Sequence, residues 1–210
     1  LKDTMLSNVG FQGSWIEILF DNTDLTNSDF TGSRLYACNF KNSIYNEIII
    51  KGTYFFLCDF SGVDFTKINF MSNNKFARSY FDNTIFPNDL VNTDFTMKVG
   101  HGGNIIGATA FKSVNFQHVN LKNVLFSLIE VDKITEWRLI EKYREHSVQV
   151  VEVDFSNVDL SGKNLSVLNF YKVNFSDADL SNSDLRFSRI HESNLEGANL
   201  EGANLEGANL

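Results

Sequence analysis

A large apolar residue returns at every fifth position along most of this chain. Toward the C-terminus the centres are Phe155, Leu160, Leu165, Phe170, Phe175, Leu180, Leu185, Ile190, Leu195, Leu200, Leu205 and Leu210. A period of five fits neither an α-helix, at about 3.6 residues per turn, nor an uninterrupted strand, at two. It requires a short extended piece and then a corner in every unit. Two residues before each centre stands a small or β-branched residue, such as Val153, Val158, Val173, Ala178 or Ser183. One residue before it stands Asp or Asn, as at Asp154, Asp159, Asn164, Asn174, Asp179 and Asp184. Alternation puts the centre and the small residue on one face, inward. The Asp or Asn then points outward or toward the corner, where such side chains bond nearby backbone.

The units closing on Leu200, Leu205 and Leu210 read Ala-Asn-Leu, with Glu-Gly following the first two. They resemble the pentapeptide-repeat family, whose signature is Ala-(Asp/Asn)-Leu-x-x. The likeness runs over nearly the whole chain. It implies an all-β fold, a right-handed quadrilateral parallel β-helix of four units and twenty residues per coil. One domain over 1–210 is expected, with an inserted α-helix at 132–147 and an irregular loop at 96–105.

Register can be followed along the chain. Leu6, Phe11 and Ile16 open the series, and a one-residue deletion leads to Phe20 and on to Phe70. One extra residue shifts the frame to Phe76, Phe81 and Phe86, and a contraction around Pro87 restores Leu90 and Phe95. After the irregular loop come Ile106, Phe111, Phe116, Leu121 and Phe126, and the pattern resumes at Val150. The total is roughly 36–38 units in about nine coils, a rod of about 43 Å. Adding twenty aligns Phe20, Phe40 and Phe60, then Leu25, Tyr45 and Phe65, and then Phe155, Phe175 and Leu195 as inward ladders.

Composition narrows the function classes. The chain has 210 residues, enough for a sizeable core, and its 20 Phe exclude disorder. A net charge of −8 disfavours direct binding of nucleic acid. No apolar run is long enough to span a membrane. Cys38 and Cys58 lie twenty residues apart at the small inward position, as stacked thiols or a rung disulfide. Two cysteines and four scattered histidines, His101, His118, His146 and His191, nominate no metal site, cofactor or catalytic residue. The Gly-rich stretch 98–104 lacks a phosphate-loop pattern and reads as a corner insertion. Over 132–146, Ile134, Trp137, Ile140 and Tyr143 fall on one helical arc, either docked on the rod or projecting from it.

Departures from the repeat carry the functional reading. The Asp/Asn position becomes Ile44, Ile49 and Tyr54, and the corner after Phe55 becomes Phe56 and Leu57. One coil earlier Arg34 and Tyr36 lie beneath Tyr54 and Phe56, and one coil later Lys75 and Arg78 follow. An outward patch of Tyr36, Tyr54, Phe56 and Leu57, flanked by Arg34, Lys75 and Arg78, has the composition of a binding hot spot. Tyr80 and Ile85 depart more weakly, and the C-terminal third is acidic, with Glu192, Glu196, Glu201 and Glu206 outward. Trp137 and Tyr143 are further partner-binding candidates.

These features point to a non-catalytic scaffold for a protein partner. The Phe-rich, interrupted repeats resemble those of bacterial type III secreted effectors, which implies a target-binding domain acting in the bacterial cytoplasm or in a host cell. Since the beat runs off both ends and the chain begins at Leu1, further domains are expected in a longer protein. One alternative within the same resemblance is a DNA mimic binding DNA gyrase, as in quinolone-resistance members. Against it, duplex DNA of about 43 Å carries about 25 negative charges. The other alternative is a structural spacer.

Overall fold

The computed structural model describes residues 13, 15–16, 19–20, 22–70, 73–90, 92–95, 110–112, 116, 119, 121, 124, 126 and 148–210. The expected helix at 132–147, with Trp137 and Tyr143, and the expected loop at 96–105 lie outside them. No α-helix occurs among the described residues.

The chain coils into an all-β parallel solenoid. Its strands are very short: β1 (Trp15–Ile16), β2 (Arg34–Tyr36), β3 (Ile49–Ile50), β4 (Tyr54–Phe56), β5 (Asn69–Phe70), β6 (Lys75–Ala77), β7 (Tyr80–Asp82), β8 (Ala110–Lys112), β9 (Gln149–Val151), β10 (Asn169–Tyr171) and β11 (Arg189–His191). They form parallel sheets in the orders β1-β2-β4-β6, β11-β10-β9-β8-β7 and β3-β5. Isolated parallel bridges fill the remaining rungs. Asp154 bridges Asn174, Asp159 bridges Asp179 and Asn164 bridges Asp184, while Asn169 pairs with Arg189. A regular coil is therefore twenty residues long with four bridging positions, and these run as four columns along the axis.

Register slips appear where the spacing of the centres changes. Ile16 pairs with Leu35, one residue short of a coil, and Tyr54 pairs with Lys75, one residue long. Lys75 bridges Asp94, one residue short again after Pro87. Phe81 pairs with Phe111, thirty residues on, and Phe111 with Val150, thirty-nine on. The column thus stays in register on either side of both long spacings.

Inside the rod the centres stack. Phe40 lies 5.1 Å from Phe60, Phe60 lies 5.4 Å from Phe81, and Phe81 lies 5.2 Å from Phe111, all nearly parallel. A second ladder runs Phe65, Phe86, Phe116, Phe155, Phe175 and crosses both insertions. Small inward residues such as Val153, Val158, Val173 and Ala178 are buried beside them. Each buried Phe or Leu contributes about 1.5–3 kcal/mol before conformational entropy.

Corners obey a stricter rule than polarity. The second residue after a centre takes a positive φ, at Asn22, Asn27, Gly32, Ala37, Asn42, Glu47, Gly52, Leu57 and Gly62, and again from Glu152 to Gly207. Asn and Gly reach this region at least cost. The preceding Asp or Asn caps the corner: Asp24 Oδ1 accepts the Thr26 N–H at 2.9 Å, and Asp179 Oδ1 accepts the Ser181 N–H at 2.9 Å. These caps hold both carboxyls below the usual range, Asp24 chiefly through the Thr26 hydroxyl and Asp179 chiefly through the Ser181 backbone. The beat falters at Phe65–Lys67, a 3-10 turn. There the Asp64 N–H donates to the Tyr45 hydroxyl at 3.0 Å instead of continuing the ladder.

Candidate functional site

The site grows from one column. Arg34 pairs with Tyr54, and Tyr54 with Lys75; Tyr36 pairs with Phe56, and Phe56 with Ala77. None of Arg34, Tyr54 and Lys75 can cap a corner as Asp does. Here the chain forms three-residue strands, β2, β4 and β6, before it turns. The corners that follow are Ala37, Leu57 and Arg78, at φ 51, 57 and 53. Side chains with a Cβ bear about 1–2 kcal/mol of strain in this region. The column gives up both its caps and its easy corners, and gains an aromatic surface.

Three rings form that surface. Tyr36 lies 6.3 Å from Tyr54 and 5.7 Å from Phe56, and Tyr54 lies 6.3 Å from Phe56. All three are half-buried, and Leu57 beside them is 40% exposed. The Arg78 guanidinium sits 5.3 Å from the Phe56 centroid, a cation–π contact. Arg78 Nε is buried and has no hydrogen-bond acceptor, which costs about 1–3 kcal/mol. Lys75 Nζ meets Asp94 Oδ2 at 2.5 Å. Burial, and then Tyr36 beside it, hold the Tyr54 hydroxyl above the ordinary tyrosine range, against the opposing charges of Arg78 and Arg34. At neutral pH that hydroxyl is a neutral hydrogen-bond donor.

A cleft of about 350 Å³ lies alongside, lined by Gly32, Ser33, Arg34, Tyr36, Gly52, Thr53, Tyr54, Asn73 and Lys75. Gly32 and Gly52 are part of its lining. Both have positive φ, and a Cβ built on Gly52 would meet no atom within 4 Å. This trough has no sequence signal beyond two glycines twenty residues apart.

The other sequence candidates go elsewhere. Ile44 bridges Asp24, and Ile49 bridges Asp29 and pairs with Asn69, so Ile49 stands on the column next to the patch and Ile44 on the column beyond it. Ile44 is 52% exposed and shares its column with Ile85, 55% exposed, with Asp64 between them. Arg78 aligns with Leu57 rather than with Tyr54 or Phe56, reaching the patch through its ring contact. Cys38 and Cys58 are free and buried. Burial, and then the hydrogen bond with Cys38, push the Cys58 thiol far up, which removes its thiolate chemistry. His191 is exposed. Among the described residues no three His, Cys, Asp or Glu side chains gather as a metal site, and no helix is long and apolar enough to cross a membrane.

A family model described as pentapeptide repeats matches eight copies, over residues 12–44, 151–186 and 188–210. Those stretches, less than half of the chain, are similar to the repeats of that family. The pentapeptide repeats bracket an unmatched stretch, 45–150, which holds Tyr54, Phe56, Lys75, Arg78 and both long insertions. Among solved structures the chain is similar to trypsin-treated QnrB1, a plasmid-mediated fluoroquinolone resistance protein, at 17% identity over 98% of this chain and 90% of that one, with a TM-score of 0.35. It is similar at 17% to HetL, a pentapeptide repeat protein involved in heterocyst differentiation regulation from the cyanobacterium Nostoc, over 100% and 88%, with a TM-score of 0.35. A pentapeptide repeat protein of the Arabidopsis thaliana thylakoid lumen is also similar, at 17% over 69% and 77%, with a TM-score of 0.22. No curated protein sequence matches the chain.

Proposed function

We propose that this chain is a non-catalytic protein-interaction scaffold whose contact surface is the patch on β2, β4 and β6. One observation carries the reading. Arg34, Tyr36, Tyr54, Phe56, Leu57 and Arg78 replace the small polar residues of the repeat at adjacent rungs, and their rings gather within 6.3 Å of one another. Aromatic and Arg side chains dominate binding hot spots because they bury much area at little entropic cost. The four bridging columns are taken as the sides of a right-handed quadrilateral coil. Membership in a larger bacterial effector, with this rod choosing the target, is part of the same proposal and rests on the Phe-rich, interrupted repeats.

The gyrase-binding alternative needs a dense acidic surface. A net charge of −8 and the outward cations Arg34, Lys75 and Arg78 weigh against it. A spacer needs no patch at all.

The test is a three-way capture. Wild type, a Tyr54→Ser/Phe56→Asn double variant and a Ser176→Asn/Ser181→Asn control are immobilised in parallel. The proposal expects a protein retained by wild type and control and lost from the patch variant. The same proteins on all three would overturn it. Inhibition of gyrase supercoiling by micromolar chain would favour the DNA mimic instead.

A further inference from the structure

We infer that the patch and its trough take an extended acidic segment of a partner protein that also carries an aromatic side chain. The inference rests on the scaffold reading and adds the partner's chemistry. Charge complementarity is the first argument. In a chain of net −8, the wall of this trough carries Arg34 and Lys75, and Arg78 stands on the adjoining corner. Asp94 offsets Lys75, and Arg34 and Arg78 keep the surface as a whole cationic. A polyanion such as nucleic acid would meet repulsion from the rest of the rod, whereas a short run of carboxylates would not.

Shape is the second argument. The lining includes Gly32 and Gly52, and a Cβ built on Gly52 would enter open space, so a backbone can lie close. Arg34 and Lys75 are two rungs apart, roughly 10 Å at the usual strand spacing. An extended peptide covers that in about three residues. Carboxylates two or three residues apart would reach both cations, and a ring between them would meet Tyr36 and Tyr54.

The experiment uses the whole 210-residue chain and labelled synthetic hexapeptides read by fluorescence anisotropy. One peptide alternates Glu with a central Trp; a second replaces each Glu by Lys; a third replaces Trp by Ala. The acidic aromatic peptide is expected to bind at least about tenfold more tightly than either of the others. Its affinity should fall as salt rises from about 50 to 300 mM. Arg34→Glu, at an exposed position, should weaken it about tenfold or more.

Equal binding of the Lys peptide, or no binding of the acidic one at millimolar concentration, would overturn the inference. If the acidic peptide fails while the patch variant still loses its captured partner, the assigned chemistry is wrong and the scaffold stands. If both fail, the scaffold reading falls too. Self-association of the chain that Arg34→Glu abolishes would overturn the inference in favour of a second copy. Displacement of the peptide by a few millimolar inorganic phosphate would do so in favour of a small anion.

Discussion

Two regions of the same rod, 148–210 and 19–95, solve the inward problem alike and the outward problem differently. In the C-terminal coils Asp and Asn stack from rung to rung. Asn174 Nδ2 donates to Asp154 Oδ1 at 3.2 Å, and Asn194 Nδ2 to Asn174 Oδ1 at 3.3 Å. Each also caps its own corner. In the N-terminal coils the column on β2, β4 and β6 carries Arg34, Tyr54 and Lys75, so neither the stack nor the cap can form. The core compensates, since Phe55, Phe60, Phe65, Phe76, Phe81, Phe86 and Phe95 interlock with centroids 4.8–6.4 Å apart. The difference teaches that this fold tolerates an uncapped surface column where its interior ladder is aromatic.

Breaking the ladder should have the largest effect. Phe76 is fully buried between Phe55, at 4.8 Å, and Phe95, at 5.5 Å. Phe76→Ala is expected to cost about 3–5 kcal/mol, read by chemical denaturation. Leu185→Ala, in the same inward series of the regular coils, should cost about 2–5 kcal/mol and fall below Phe76→Ala.

Smaller effects sharpen the contrast at the surface. Tyr45→Phe removes the acceptor of the Asp64 N–H and should cost about 1–3 kcal/mol, against a near-neutral Tyr171→Phe. Asn174→Ala removes a cap and two ladder bonds, and a loss of about 1 kcal/mol is expected in the same assay.

Acid should act on the capped corners. Asp24 and Asp179 titrate below their unfolded values, so their contribution is whole above about pH 4 and is lost as pH falls through the folded values. The thermal midpoint should drop below about pH 4, and an Asp24→Asn/Asp179→Asn variant should flatten that drop. The subtlest check is thiol accessibility: neither Cys38 nor Cys58 should alkylate at pH 8 until the rod unfolds.

Much of this was legible in the sequence. The five-residue beat gave inward and outward positions, and counting by twenty placed Arg34 under Tyr54 and Tyr36 under Phe56. Slips at Ile16, Phe76 and Pro87 could be read because each displaces an apolar centre. What could not be read depends on contacts between coils. Gly32 and Gly52 stack by the same count, but nothing in the sequence shows that a cleft opens beside them. Arg78 aligns with Leu57 because the inserted residue is absorbed before Asn73. The Tyr45 hydroxyl mends a ladder gap created twenty residues away. Nor does periodicity tell a residue that points outward from one that also caps a corner, because both are polar.

The central claim is that the patch column exchanged its caps for a binding surface. Tyr54→Asn restores the repeat's own residue there and tests this directly, with thermal melting and acidic-peptide anisotropy on the same sample. The account predicts a midpoint equal to or above wild type, together with binding at least about tenfold weaker. Undiminished binding, or a midpoint many degrees lower, would contradict it.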